Sequence, residues 1–377
     1  MKRFFLKNFL RSLSVFGTGG ASSVIPAERS PRVLVIRRNR MGDMICALPM
    51  LRQLRKSYPQ AWIRVLCDRE GEPLATASGL CDETIVLEKR GGRHRKILAN
   101  ARWVRGFDIV LAVKVGFDSL AASLAYLSCA PRRIGFVESS DPEIKEPFFY
   151  TDPVEKPREK EHQAVSCMRL IRKLNLPEGP YDFSIQIAPE YQRFADTFLR
   201  DNDLTSRRFC VVSVSTNQED RWPLSHFAAL CQCIRSEMGY DILVTSTPAD
   251  RVIARDLVTL CADKWVMSVD TPGVLHLAAL LSHARFVVAF EGGVAHLSTA
   301  CGVPGVILWR KDAPFEKWKA LSSSHRYVRG QPVADISVSE VLHAIGDVME
   351  ATMGEGAIGD NLKKDDRTGN TPGPAGA

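Results

Sequence analysis

The chain has 377 residues, 45% hydrophobic and 25% charged, a balance that fits a soluble globular protein long enough for two domains of ordinary size. Its ten cysteines stand singly apart from the Cys231/Cys233 pair, without CxxC pairing or a His/Cys cluster at zinc spacing, so the reading is a reduced, cytoplasmic protein and not a disulfide scaffold or zinc module. A formal charge of +7 is modest for this length and no nucleic-acid-binding motif is present, which points to a phosphorylated sugar or an anionic membrane face as partner and excludes nucleic acid.

Taken in order, residues 1–16 set Phe4, Phe5, Phe9, Leu10, Leu13 and Phe16 among Lys2, Arg3, Lys7 and Arg11, the pattern of a short basic amphipathic helix. Lys7 and Arg11 interrupt the apolar core that a signal peptide needs. Two readings stay open: a foot resting on anionic lipid at the inner membrane surface, or a leader packed on its own domain or disordered. Residues 17–30 are a connector.

From Arg32 the register is clear. A buried strand at 33–36 leads through a loop at 37–42 into a helix at 43–58, and further strands at 63–67, 83–87, 108–113 and 133–136 alternate with helices at 71–78, 96–105, 119–127 and 162–174. Such alternation implies a parallel sheet with crossovers. Residues 139–160 read as a long polar loop and 175–188 as a linker. The second half repeats the plan, with helices at 189–202, 224–238, 251–260, 274–282, 294–300 and 338–353 and strands at 209–214, 241–245, 265–268, 285–290 and 305–309. The expected organisation is therefore a 1–30 leader, domains at 31–188 and 189–353, and a disordered tail at 354–377 rich in Gly, Asp, Lys and Pro. Neither half opens a helix with Gly-x-Gly-x-x-Gly, which removes a nicotinamide-dependent dehydrogenase from consideration.

Two junctions carry chemistry. After the apolar run ending at Phe290, Glu291-Gly292-Gly293-Val294 turns from strand to helix, and the two glycines bring bare backbone, with the free amides of a first helical turn, to where a phosphate can sit. A Cβ at Gly293 is expected to obstruct that ligand, and Glu291 can accept hydrogen bonds from ligand hydroxyls. A plain β–α turn with an exposed acid has the same pattern. In the first half, Asp43 stands at a helix start after Gly42 and among Arg37, Arg38 and Arg40, where it suits a helix cap or a catalytic base. Asp201-Asn202-Asp203, an Asp-x-Asp, ends a helix and reads as a turn, not a metal site.

Residues 33–54 resemble the opening motif of the ADP-heptose:lipopolysaccharide heptosyltransferase family, glycosyltransferase family nine, in which a strand and loop lead to Gly42-Asp43 and a helix bearing Pro49. Residues 213–223 are similar to that family's second-domain loop ending in Trp222-Pro223, residues 245–250 to its small turn before a helix, and residues 291–304 to its Asp-Thr-Gly phosphate motif, followed by a helix with His296 and then Gly302-Val303-Pro304. The likeness runs in order over residues 32–328. It implies an α/β GT-B fold, two Rossmann-like domains facing across a cleft. It also implies inverting, metal-independent transfer of a sugar, foremost heptose from ADP-heptose, onto lipopolysaccharide core or a related envelope glycan, with no cofactor. By position, Asp43 would be the general base. Ser215, Thr216, Arg221, Asp250, Glu291, Gly292, Gly293, Val294 and His296 would line the donor, and Arg37 and Arg40 would face an anionic acceptor. Three departures stand out: Asp220 where the family has Lys, with Arg221 or Arg310 left to supply charge; Glu291-Gly292-Gly293 for Asp-Thr-Gly; and a Gly-Asp loop unusually rich in arginine. Another sugar, or a non-catalytic nucleotide- or glycan-binding relative, stays open on these grounds.

Overall fold

The computed structural model describes residues 30–138, 147–157, 160–216 and 221–365, the side chains of 147 and 352–365 excepted. The amphipathic segment at 1–16, Asp220 and the end of the tail lie outside the described residues.

The first half runs β1 (Arg32–Arg37), α1 (Met41–Ser57), β2 (Trp62–Cys67), α2 (Glu72–Ala77), β3 (Glu83–Val86), α3 (Arg93–Ala101), β4 (Ile109–Ala112), α4 (Ser119–Leu127), β5 (Arg132–Val137), β6 (Asp152–Glu155) and α5 (Gln163–Arg172). Its six strands are all parallel, in the order β3-β2-β1-β4-β5-β6. Val33, Leu34, Val35 and Ile36 in the central strand are each 0% exposed, as expected where helices cover both faces of a parallel sheet.

The second half runs α6 (Pro189–Asp201), β7 (Phe209–Ser213), α7 (Leu224–Cys233), β8 (Asp241–Thr245), α8 (Arg251–Cys261), β9 (Val266–Val269), α9 (Val274–Ser282), β10 (Val287–Phe290), α10 (Gly293–Ala300), β11 (Gly305–Arg310), α11 (Phe315–Trp318), β12 (His325–Gly330) and α12 (Val338–Asp365). Its sheet, β12-β11-β10-β7-β8-β9, repeats the first: the opening strand of each half lies between the second and the fourth.

Several elements depart from the sequence reading. The loop expected at 139–160 contains β6, and β12 forms in a stretch assigned no structure; both are edge strands, whose polar sequences give no continuous apolar run to read. The helix expected at 224–238 is α-helical only to Cys233 and closes in a π turn, Ile234–Met238, before Gly239. The last helix passes Met353 and reaches Asp365, since an established helix extends at one hydrogen bond per added residue.

The halves meet along α1 and α10. One buried apolar cluster runs from Val33, Leu48 and Leu54 in the first half to Leu280, Leu297 and Trp309 in the second. His162, at the start of α5, accepts the Ala164 amide at Nδ1 (3.1 Å), so Nε2 carries the proton and donates to the Lys319 carbonyl of the other half at 2.7 Å. Among the described residues no helix is long and apolar enough to cross a membrane.

Candidate functional site

In an open parallel sheet, ligands bind beyond the carboxyl ends of the strands, where the strand order reverses. That point lies between β1 and β4 in the first half and between β7 and β10 in the second. The residues singled out from the sequence, Asp250 on the turn after β8 excepted, fall on the loops at these two points, and α1 and α10, starting from them, meet at their first turns. A Cβ added to Gly42 would come within 2.5 Å of His296 Cδ2, and one added to Gly293 would run into Met41 Cε. Asp43 and the Gly292-Gly293 junction are therefore opposite walls of one narrow cleft.

On the first wall, Asp43 is the third residue of α1, with Arg40 at the N-cap. Oδ2 accepts the Arg40 amide at 3.3 Å, as a capping acid does, and the side chain keeps 12% of its surface exposed. Arg37 is displaced from the acceptor-facing place expected of it. It is 2% exposed, donating from Nη2 to Asp43 Oδ1 (2.9 Å), from Nε to the Asp43 carbonyl (2.8 Å) and from Nη1 to the Val113 carbonyl (2.7 Å). A β1 side chain following buried Ile36 is carried into the sheet's rim, where these oxygens collect. Arg38 crosses the switch point to Asp118, with Nη1 2.7 and 2.6 Å from its two oxygens. Asp118 also caps α4 through the Leu120 and Ala121 amides. Burial raises its carboxyl, but Arg38, the Ala121 amide and Lys114 outweigh that and hold it below the usual range. Asn39 sits at φ +92°, its amide held by Asp68 at 2.9 Å. Of the loop's three arginines only Arg40 is exposed.

The second wall is built from three loops. After β7, Ser215 Oγ accepts the Thr247 amide at 2.7 Å, and Arg221 donates to the Val214 carbonyl (3.3 Å), the Thr216 carbonyl (3.4 Å) and Asp250 Oδ1 (2.7 Å). Asp250 also accepts from the Thr247 hydroxyl at 2.9 Å and is 6% exposed. Burial raises its carboxyl, and hydrogen bonds from Ser215, Thr247 and Arg221 prevail and keep it low. Asp250 and Arg221 thus brace the loop bearing Ser215 and Thr216, and the Arg221 charge is matched inside the protein. Arg310 is likewise paired, with Asp312.

At the β10–α10 junction it is Gly292, not Gly293, that has the glycine-only conformation, at φ +145° and ψ −152°. A Cβ there would meet nothing within 4 Å, whereas at Gly293 the obstruction is Met41 of the opposite wall and not a ligand. Gly292 at the N-cap has no side chain to cap α10, so the amides of Gly293 and Val294 head a helix whose positive end faces the cleft. Glu291, half-buried, follows β10 with its amide on the Leu308 carbonyl at 3.1 Å. His296 lies on the cleft side of α10 with its ring 6.1 Å from that of Trp318. Burial, aided by the His162 ring and opposed by the Asp43 carboxylate, pushes its imidazole down to about 4, so it is neutral at pH 7.

Two features escaped the sequence reading. Lys89, Arg90, Arg93, His94, Arg95 and Lys96 cluster after β3, mostly exposed, with Lys89 on Asp68 at 2.9 Å. An acid-free charge run was the signal available. The His162 bridge gave none, because nothing in sequence links residues 162 and 319.

The model of glycosyltransferase family 9 (heptosyltransferase) matches residues 97–340. The chain is 21% identical over 300 residues to the lipopolysaccharide core heptosyltransferase OpsX of Haemophilus influenzae, covering 76% of this chain and 81% of that protein. It is 20% identical over 284 residues to lipopolysaccharide heptosyltransferase 3 of Escherichia coli, covering 71% and 80%. Among solved structures, the family 9 glycosyl transferase of Veillonella parvula superposes with a TM-score of 0.76 at 20% identity, covering 85% of this chain and 98% of that one. The heptosyltransferase WaaC of E. coli with ADP gives 0.66 at 19% identity, covering 85% and 98%. The fold is the GT-B arrangement of two Rossmann-like domains.

Proposed function

Since the chain belongs to glycosyltransferase family 9, the heptosyltransferase family, we propose that it moves heptose from ADP-heptose onto lipopolysaccharide core in a single inverting displacement, with Asp43 as general base. The observation that carries this reading is the meeting of the two helix starts, which brings the start of α1, with Asp43, across a narrow cleft from the amides that head α10. The relatives' names supply the sugar and acceptor: OpsX is a lipopolysaccharide core heptosyltransferase, and WaaC has been solved with ADP and with ADP-2-deoxy-2-fluoro heptose.

The acceptor hydroxyl attacks the anomeric carbon while its proton passes to Asp43. The bond from that carbon to the diphosphate breaks with its electron pair, and the Gly293 and Val294 amides stabilise the charge that develops on the leaving group. Ser215 and Thr216 line the same anion site, with Glu291 placed for sugar hydroxyls and neutral His296 beside the phosphates. The reading needs no metal. Arg40 and the basic run at 89–96 give the acceptor side a positive face suited to a phosphorylated core.

Asp43→Asn keeps the shape of the side chain and removes its basicity. Single-turnover rates with ADP-heptose and a heptose-deficient core lipopolysaccharide are expected to fall about 10²- to 10⁴-fold, with ADP affinity near wild type. A rate within about threefold of wild type would return Asp43 to a helix-capping role alone. Peripheral placement on the inner face of the inner membrane rests on residues 1–16, whose four basic side chains each add about 1 kcal/mol at an anionic surface. Deleting them is expected to abolish co-sedimentation with anionic vesicles and leave turnover of a detergent-dispersed acceptor intact.

A further inference from the structure

We infer that Arg37 is a positioning residue for the transfer step, holding the Asp43 carboxylate by Oδ1 so that Oδ2 is the oxygen that receives the acceptor's proton. This rests on the reading of Asp43 as base. Arg37 is the last residue of β1, and its side chain is 1% exposed. Its fork reaches three oxygens: Asp43 Oδ1 at 2.9 Å, the Asp43 carbonyl at 2.8 Å and the Val113 carbonyl at 2.7 Å. The third belongs to the chain leaving β4, the strand beside β1. The guanidinium is therefore fixed to the sheet independently of α1, and through it the sheet sets where the carboxylate stands.

The two carboxylate oxygens differ in consequence. Oδ1 carries the Arg37 contact and a long one from Asn39 Nδ2 at 3.5 Å, whereas Oδ2 has the Arg40 amide at 3.3 Å. Oδ2 is thus the more weakly held and the freer to bind a proton. In the step, the acceptor oxygen bonds to the anomeric carbon, the bond to the diphosphate oxygen breaks with its electron pair, and the hydroxyl proton ends on Asp43 Oδ2.

The surroundings strengthen the hold. Cys46 on α1 and Cys167 on α5 are buried, and the nearby Arg37 charge opposes the rise that burial imposes on both thiols. In such apolar packing an ion pair is screened far less than at a surface. Lysine is not equivalent, because a point charge cannot hold three oxygens in one plane.

The test uses the full chain with ADP-heptose and a heptose-deficient core lipopolysaccharide, with ADP affinity measured separately by calorimetry. Arg37→Gln is expected to lower kcat about 10²-fold, the scale of an ångström of misplacement, with ADP binding unchanged, and to remove nothing further from the residual rate of Asp43→Asn. Arg37→Lys should fall between Gln and wild type, about tenfold down, and serves as the test if the Gln variant does not fold. Wild-type kcat in a folded Arg37 variant, a loss that adds fully to that of Asp43→Asn, or an equal loss of ADP affinity overturns the inference while leaving the base reading in place. Wild-type turnover by Asp43→Asn overturns the base reading and this inference with it.

Discussion

Met41 and Gly293 face each other from opposite domains with no room for a methyl group between them. Gly293→Ala therefore drives a Cβ into Met41 Cε and wedges the cleft, and because the obstructing atom ends a flexible side chain, Met41→Ala is expected to restore most of the donor affinity lost. Gly292→Ala differs: its penalty is backbone strain at φ +145°, of order 1–3 kcal/mol, and the Met41 change should not relieve it. ADP calorimetry on the four variants separates the cases. Rescue of both glycine changes by Met41→Ala, or of neither, would sink the distinction. The dipeptide itself was legible in the sequence as a strand-to-helix turn at an anion site. Which glycine needs the special conformation was not, because that is set by the path the backbone takes from β10 into α10, which the dipeptide alone does not fix. Arg37 teaches the same lesson: its run of arginines marked a charged loop, but only the fold shows that it turns inward to Asp43 while Arg40 stays exposed.

At the scale of elements, the central strands were readable because burial on both faces leaves an unbroken apolar run, as in β1, β7 and β10. The edges were not, since β6 is Asp-Pro-Val-Glu and β12 begins His-Arg. β12 nonetheless carries a residue that ties it to the site. His325, 4% exposed, lies with Nε2 3.0 Å from Ser298 Oγ and 3.4 Å from Thr299 Oγ1, both on α10. Burial, with His296 adding to it, pushes its imidazole down to about 4, below the value of about 6.5 of an unfolded histidine. Between those two values the unfolded chain binds a proton that the folded one does not. Stability is thus complete above about pH 6.5 and declines as pH falls toward 4, by about 2 kcal/mol from this residue at pH 5. Denaturant unfolding at pH 7 and pH 5 checks this: His325→Asn should flatten the pH dependence by about that amount, and an unchanged slope would show that the histidine is not buried neutral.

For the molecule as a whole, the two halves repeat one strand order, so the sequence reading of two domains of like plan matched the sheets. It gave no hint that they share a core. The apolar cluster through Leu48, Leu54, Leu280 and Leu297 makes the contact between domains as much interior as surface. Seen as a problem of unfolding, this joins what topology keeps separate: the first half cannot melt without exposing the apolar flank of the second. Heating should therefore show one cooperative transition instead of two, and ADP, if bound by the second half as proposed, should slow amide exchange in β1 and β4 as well as in the second sheet. Protection confined to β7, β8 and β10 would instead mean halves that open independently. Residues 31–188 produced alone would lose the part of this cluster that the second half supplies, leaving an unshielded apolar flank of the kind that drives isolated fragments to aggregate.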